Sequence, residues 1–182
     1  MEHQKLLNDQ THHQQMKRFF SLIAIFFLAA FGHVHATTVI APTFGQLVDE
    51  AELIFQGKVT AARSVWTGEG AQRVIVTFVT FKVEDTMKGN PGESYTVRML
   101  GGTVDGETIE IADAPKFKVG DRDILFVEHN GSQFIPLVGI MHGRFHVKRD
   151  LAGHESVVTN EGKPVKELSE FKAAVRQKML AR

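Results

Sequence analysis

Two runs decide the architecture: LIFQGKVTAARSVW, residues Leu53–Trp66, and RVIVTFVTFKVEDTMKG, residues Arg73–Gly89. β-Branched and aromatic residues dominate both, which is the composition of pleated, half-buried strands. A short Gly-rich break at Thr67-Gly68-Glu69-Gly70 separates them. Gly57 interrupts the first run and marks a bulge or a tight bend where the sheet curls. In the second run Ile75, Val79, Phe81 and Val83 share one face. Val74, Val76 and Phe78 occupy the other face in its first half only. Such a strand begins between two layers and ends half-exposed. Met87-Lys88-Gly89-Asn90-Pro91-Gly92 is a turn.

Upstream, Pro42 precedes Thr43, an N-cap residue for a short helix whose apolar positions Phe44, Leu47, Val48 and Ala51 fall at helical spacing. Downstream the strands are shorter. Tyr95–Leu100 alternates, Gly101-Gly102 breaks it, and Asp105-Gly106 signals a two-residue hairpin. Ile124–Val127 is a short, wholly apolar strand, and Asn130-Gly131 makes a second hairpin into Phe134–Val138. Arg144–Lys148 and Ser156–Thr159 are further strands. Pro164 precedes a last helix, about Glu167–Leu180, with Leu168, Phe171, Ala174, Val175 and Leu180 as its apolar stripe. Many short strands with hairpin turns and internal glycines predict a mainly β fold, a small antiparallel OB-like barrel carrying a short N-terminal and a C-terminal helix. An immunoglobulin-like sandwich is the alternative, but Trp66 sits at a strand end beside a loop rather than at a buried central position.

The chain has 182 residues, a length suited to one domain, expected over residues 37–182. Its 21 basic and 21 acidic residues balance, which argues against nucleic-acid binding through bulk charge. With no cysteine, structural disulfides, thiolate zinc sites and a cysteine nucleophile are excluded. Lys17 and Arg18 precede the apolar run Phe19–Phe31, broken only by Ser21, and Val34-His35-Ala36 follows. This order predicts a secretory signal peptide over residues 1–36, cleaved after Ala36, and a periplasmic or secreted protein. Met16 is an alternative start. The apolar run is shorter than the roughly 17–25 residues a spanning helix needs, so no stable membrane span is expected after cleavage. Removing residues 1–36 takes Lys5, Lys17 and Arg18 against Glu2 and Asp9, leaving the mature chain at 18 basic and 19 acidic residues.

Several segments carry a resemblance. Thr37-Thr38-Val39 is followed by Asp49-Glu50-Ala51-Glu52-Leu53-Ile54-Phe55-Gln56-Gly57-Lys58-Val59, later by Phe81-Lys82-Val83-Glu84-Asp85-Thr86-Met87-Lys88-Gly89, and then by Val119–Phe126. This order, over roughly residues 37–130, resembles the netrin-like OB-fold group and the N-terminal domain of the tissue inhibitors of metalloproteinases. The Gly101-Gly102-Thr103-Val104-Asp105-Gly106 segment is similar to one found in exported bacterial proteins. The resemblance implies an OB-fold and, as partner, a zinc protease. Its metal would be chelated by the mature N-terminus, Thr37, with Thr38 entering the specificity pocket. The inhibitors begin Cys-x-Cys and are tied by disulfides; this chain departs from them in having no cysteine.

Other chemistry is sparse. His142 and His146 stand four apart, but Gly143 and the strand-like Phe145-His146-Val147 argue against a helix. On a strand they lie about 13 Å apart, so a metal site there needs His129 or His154 from a neighbouring strand. The acidic residues, Asp121 and Asp123 among them, fall in or near turns and read as solvated. No serine has a nucleophile-elbow context. Phe55, Phe78, Phe81 and Phe126 sit at periodic apolar positions and belong to a core rather than to a base-stacking surface. Trp66 is a candidate anchor for a protein partner or, equally, a cap on the barrel. The expected function is therefore an exported, non-enzymatic protein-binding module without cofactor, its contacts made by Thr37, Thr38 and Trp66. The alternative is a metal-dependent hydrolase using the His142/His146 region.

Overall fold

The computed structural model describes residues 41–181. Helix α1 (Phe44–Glu50) leads into β1 (Leu53–Thr67), β2 (Val74–Lys88) and β3 (Ser94–Leu100). A small hairpin, β4 (Gly102–Val104) and β5 (Glu107–Ile109), follows. Then come β6 (Arg122–Val127), β7 (Arg144–Arg149), β8 (Glu155–Thr159), β9 (Pro164–Glu167) and helix α2 (Leu168–Leu180). Among the described residues no helix is long and apolar enough to cross a membrane.

Thr43 starts α1 as its capping position predicts: its hydroxyl accepts from Gln46 N–H and the Gln46 side-chain oxygen accepts from Thr43 N–H. Lys88 Nζ donates to Val48 O and Asp49 O at the other end, a cation placed on terminal carbonyls. Seven strands form one antiparallel sheet in the order β3-β2-β1-β6-β7-β8-β9, and β4-β5 stand apart as a two-stranded ribbon. The β1–β2 register shifts at Gln56/Gly57, as the glycine predicts, and again at Ile54/Phe55 and Val59/Ala61. A Cβ at Gly57 would meet Lys82 O at 3.0 Å and the Phe55 ring at 3.1 Å, so the bend depends on glycine.

Successive residues of β1 and β6 serve two cores. Ile54, Ile124 and Phe126 pack with Phe145, Val147 and Val157 under Leu47 and Val48 of α1 and Leu168, Phe171 and Val175 of α2. Phe55, Leu125 and Val127 point the other way, onto Val79, Phe81, Val97, Met99, Ile135 and Leu137. Both faces are buried, so these strands read as continuous apolar runs.

Three expectations change. Among the described residues no closed barrel is found: the second edge of β6 is taken by β7 rather than by β3, and β7, β8 and β9 extend the sheet beneath the helices. Phe134–Val138 makes only a bridge, Val127 with Leu137, instead of a full strand. Leu180 is 84 % exposed and leaves the α2 stripe at the last turn. The outer edge of β3 is covered by the loop after β6. Phe134 O accepts from Leu100 N–H, and the Asn130 side chain accepts from Arg98 N–H and donates to Thr96 O. The amide stands in for a peptide unit of a missing strand.

Candidate functional site

β6 accompanies β1 only from Leu53 to Lys58. One more rung follows, with Val59 N–H donating to Asp121 O and Gly120 N–H donating to Val59 O. From Thr60 onward, among the described residues, β1 has a strand neighbour on the β2 side alone. The ladder fixes which groups face the open side. Ile75 O accepts from Gly101 N–H, so Ile75 turns its backbone groups away from β1. Trp66, its partner across the ladder, is then in a non-hydrogen-bonded pair, and its own N–H and C=O point outward. By the period of two the same holds for Ser64 and Ala62. Among the described residues, no backbone hydrogen bond meets these outward groups. Natural edges are blunted by proline, lysine, bulges or a covering loop. Between Ala61 and Thr67 this one has a single charge, Arg63, and otherwise small or apolar side chains. Trp66 is half-buried, with the Arg73 guanidinium 4.1 Å from its ring centroid.

A second feature lies where β6 begins. Arg144, only 2 % exposed, directs Nη2 to Asp121 (2.9 Å) and to Asp123 (3.0 Å), Nη1 to Lys116 O (2.8 Å), and its guanidinium face to Phe117 (4.0 Å). Asp123 is fully buried, and His146 Nδ1 lies 2.7 Å from its Oδ1. That oxygen receives no aligned hydrogen bond. On the opposite face Arg122 joins Glu84 and Glu155, and Gln56 donates to Glu84. Burial pushes the Glu84 carboxyl up. The hydrogen bonds and charge of Arg122, with the Gln56 amide and Lys172, outweigh that effect and hold it below its ordinary range. An open cleft of about 470 Å³ borders both groups, with Lys58, Glu84, Arg122, His146, Lys148 and Glu155 on its walls. A carboxylate against one ring nitrogen orients an imidazole, the arrangement used to hold a proton carrier in place.

The residues expected to carry function scatter. Thr37 and Thr38, like the predicted signal peptide and its cleavage point, lie outside the described residues. Trp66 stands on the open half of β1. His142 lies in the 3-10 turn Ile140–Gly143 and His146 on β7, so their spacing of four spans two elements. His129 is near Glu52 and Glu128, and His154 near Asp150. Among the described residues no three histidine or carboxylate side chains gather as candidate metal ligands. Asp123 is a correction: it is buried on β6, not solvated in a turn, because its position in the strand points it inward with Leu125 and Val127. The available signal was an aspartate directly preceding an apolar strand and an arginine, Arg144, directly preceding another. No protein family, no curated protein and no solved structure matches the chain.

Proposed function

We propose that this protein is an exported, non-enzymatic protein-binding module that takes an extended segment of another exported protein along the open half of β1. One observation carries the reading: the backbone groups of Ala62, Ser64 and Trp66 face away from β2, and among the described residues no strand lies beside them. Strand addition to such an edge supplies main-chain hydrogen bonds, and neighbouring side chains supply selectivity. Trp66, stacked under Arg73, is the aromatic anchor beside that edge. The same reading takes the curled β1, β2, β3 and β6 as OB-like, supported by the Asn130–Phe134 loop that reaches the outer edge of β3.

The test is amide hydrogen exchange with partner capture. In the free protein the Ala62, Ser64 and Trp66 amides exchange fast, while those of Arg63 and Val65, bonded to β2, exchange slowly. Ser64→Pro removes an outward donor together with the hydroxyl bonded to Thr77, and an edge strand tolerates the missing N–H. It should abolish capture of the partner from periplasm or medium while the fold stays intact. Slow exchange at all five amides, or capture indifferent to Ser64→Pro, refutes the reading.

Inhibition of a zinc protease through Thr37 and Thr38 is a narrower form of the same proposal. It predicts that mature protein inhibits at least one member of a zinc-protease panel and that one extra residue before Thr37 removes the effect. The contact of Asp123 with His146 favours one second reading, a metal-dependent hydrolase using the His142/His146 region. Stoichiometric zinc that is lost in His146→Ala would support it, and metal-free, fully folded protein that gains no zinc on dialysis would remove it.

A further inference from the structure

The hairpin β4-β5 is folded onto the sheet rather than added to it. Gly101 (φ 96°) and Gly102 (φ 132°) make the reversal. A Cβ on Gly101 would meet Ile109 O at 2.7 Å, and one on Gly102 would collide with the Thr77 and Ser64 hydroxyls. Beyond the hairpin, residues 110–117 run back across the same face. Their far end is held by the buried cluster, where Arg144 donates to Lys116 O and stacks on Phe117. Between this cover and the sheet lies a recess of about 280 Å³. Its lining is chiefly Val79, Met99, Ile109, Ile111, Ala114 and Phe117.

The polar side chains of the lining are already engaged. The Thr77 hydroxyl donates to Gly101 O (2.6 Å) and shares a hydrogen bond with Ser64 (2.8 Å). Thr103 and Thr108 bond each other (2.9 Å), and Glu110 pairs with Lys116. A guest would therefore meet mainly apolar surface, each polar side chain of the lining already having a partner. An uncharged guest loses little on entry, whereas a charged one would surrender its hydration without compensation. A cavity of roughly 150 Å³ suffices for one benzene ring, so this recess has room for one or two rings. From this we infer that the recess under β4-β5 is a binding site for a small, uncharged, apolar molecule, separate from the open edge of β1.

Methyl NMR on the whole mature chain tests the assignment with toluene and its charged counterpart benzoate as probes. Toluene should give saturable shifts confined to the methyls of Val79, Met99, Ile109, Ile111 and Ala114. Benzoate should bind more than about tenfold more weakly. Ala114→Trp, which fills the recess, should abolish the toluene shifts. Glu110→Gln leaves the core untouched and frees the Lys116 ammonium at the rim, so it should raise benzoate affinity several-fold without changing that of toluene. Toluene shifts that do not saturate, that spread to surface methyls, or that are matched by benzoate in the wild-type protein overturn the assignment.

Discussion

The Arg144–Asp123 pair makes the sharpest energetic prediction. Removing one member of a buried ion pair strands the other, at about 3–5 kcal/mol. The surroundings set where each variant falls in that range. In Asp123→Asn the guanidinium keeps Asp121 and Lys116 O as acceptors, so the loss should be near 3 kcal/mol. Arg144→Met leaves the fully buried Asp123 carboxylate with only His146 beside it. It also forfeits the contact with Phe117 and leaves Lys116 O unpaired, so the loss should approach 5 kcal/mol. With a urea m-value near 2 kcal/mol/M, the midpoints should fall by about 1.5 M and 2.5 M. The informative variant is the double, Asp123→Leu with Arg144→Met, which replaces both charges with apolar volume. It should lie within about 2 kcal/mol of wild type, much less than the sum of the singles. Urea unfolding followed by circular dichroism measures all three. Additive losses, or a loss in Asp123→Asn below about 1 kcal/mol, would refute the buried-pair account.

Glu84 bears on acid stability. Its folded-state pKa is depressed, so its contribution is complete above the ordinary value of 4.5 and is lost as pH falls through the lowered one. Glu84→Gln should flatten the acid side of the stability profile, and parallel profiles would show that the Arg122 network contributes nothing there. Gly102→Ala should cost about 2–3 kcal/mol through its positive φ and the collision with Thr77 and Ser64. Gly70→Ala, at φ 54° with open space around it, should cost only about 1 kcal/mol in the same thermal melts. Ile140 is a β-branched residue at φ 59°, so Ile140→Asn should stabilise by about 0.5–1 kcal/mol. A lower melting temperature in that variant would contradict the strain.

What could be read along the chain was whatever local chemistry determines. Thr43 with Gln46, the alternation in Arg73–Asp85, the Asp105-Gly106 turn and the Gly57 bend each act within a few residues, and each appears where its local signal lies. Strand β9 was not legible: Pro164 heads it at the sheet edge, and all four residues are exposed, so no apolar period marks it. The buried Arg144–Asp123 pair joins positions 21 apart in two short strands, and nothing in either strand names the other. Trp66 could be singled out by type, but the openness of its strand edge could not. That openness belongs to the neighbour, since it depends on where β6 begins.

That boundary has a physical cause, and the buried cluster supplies it. The last rung between β1 and the chain entering β6 runs through Gly120 and Asp121 to Val59. Asp121 and Lys116 O are both held by Arg144. The incoming segment is thereby drawn off the edge of β1 towards the face carrying Phe117, one residue before Thr60. The bulge at Val59/Ala61 falls at the same level, where β1 passes from a strand between two neighbours to the edge of the three strands β1, β2 and β3. Arg144 thus fixes the end of one ladder, the far wall of the apolar recess and the start of the open edge. Arg144→Met should therefore do more than destabilise: below its unfolding transition it should speed exchange of the Val59 and Gly120 amides, while the Arg63 and Val65 amides stay protected by β2. Equal acceleration at all four would mean that the cluster supports the fold as a whole and does not set the boundary.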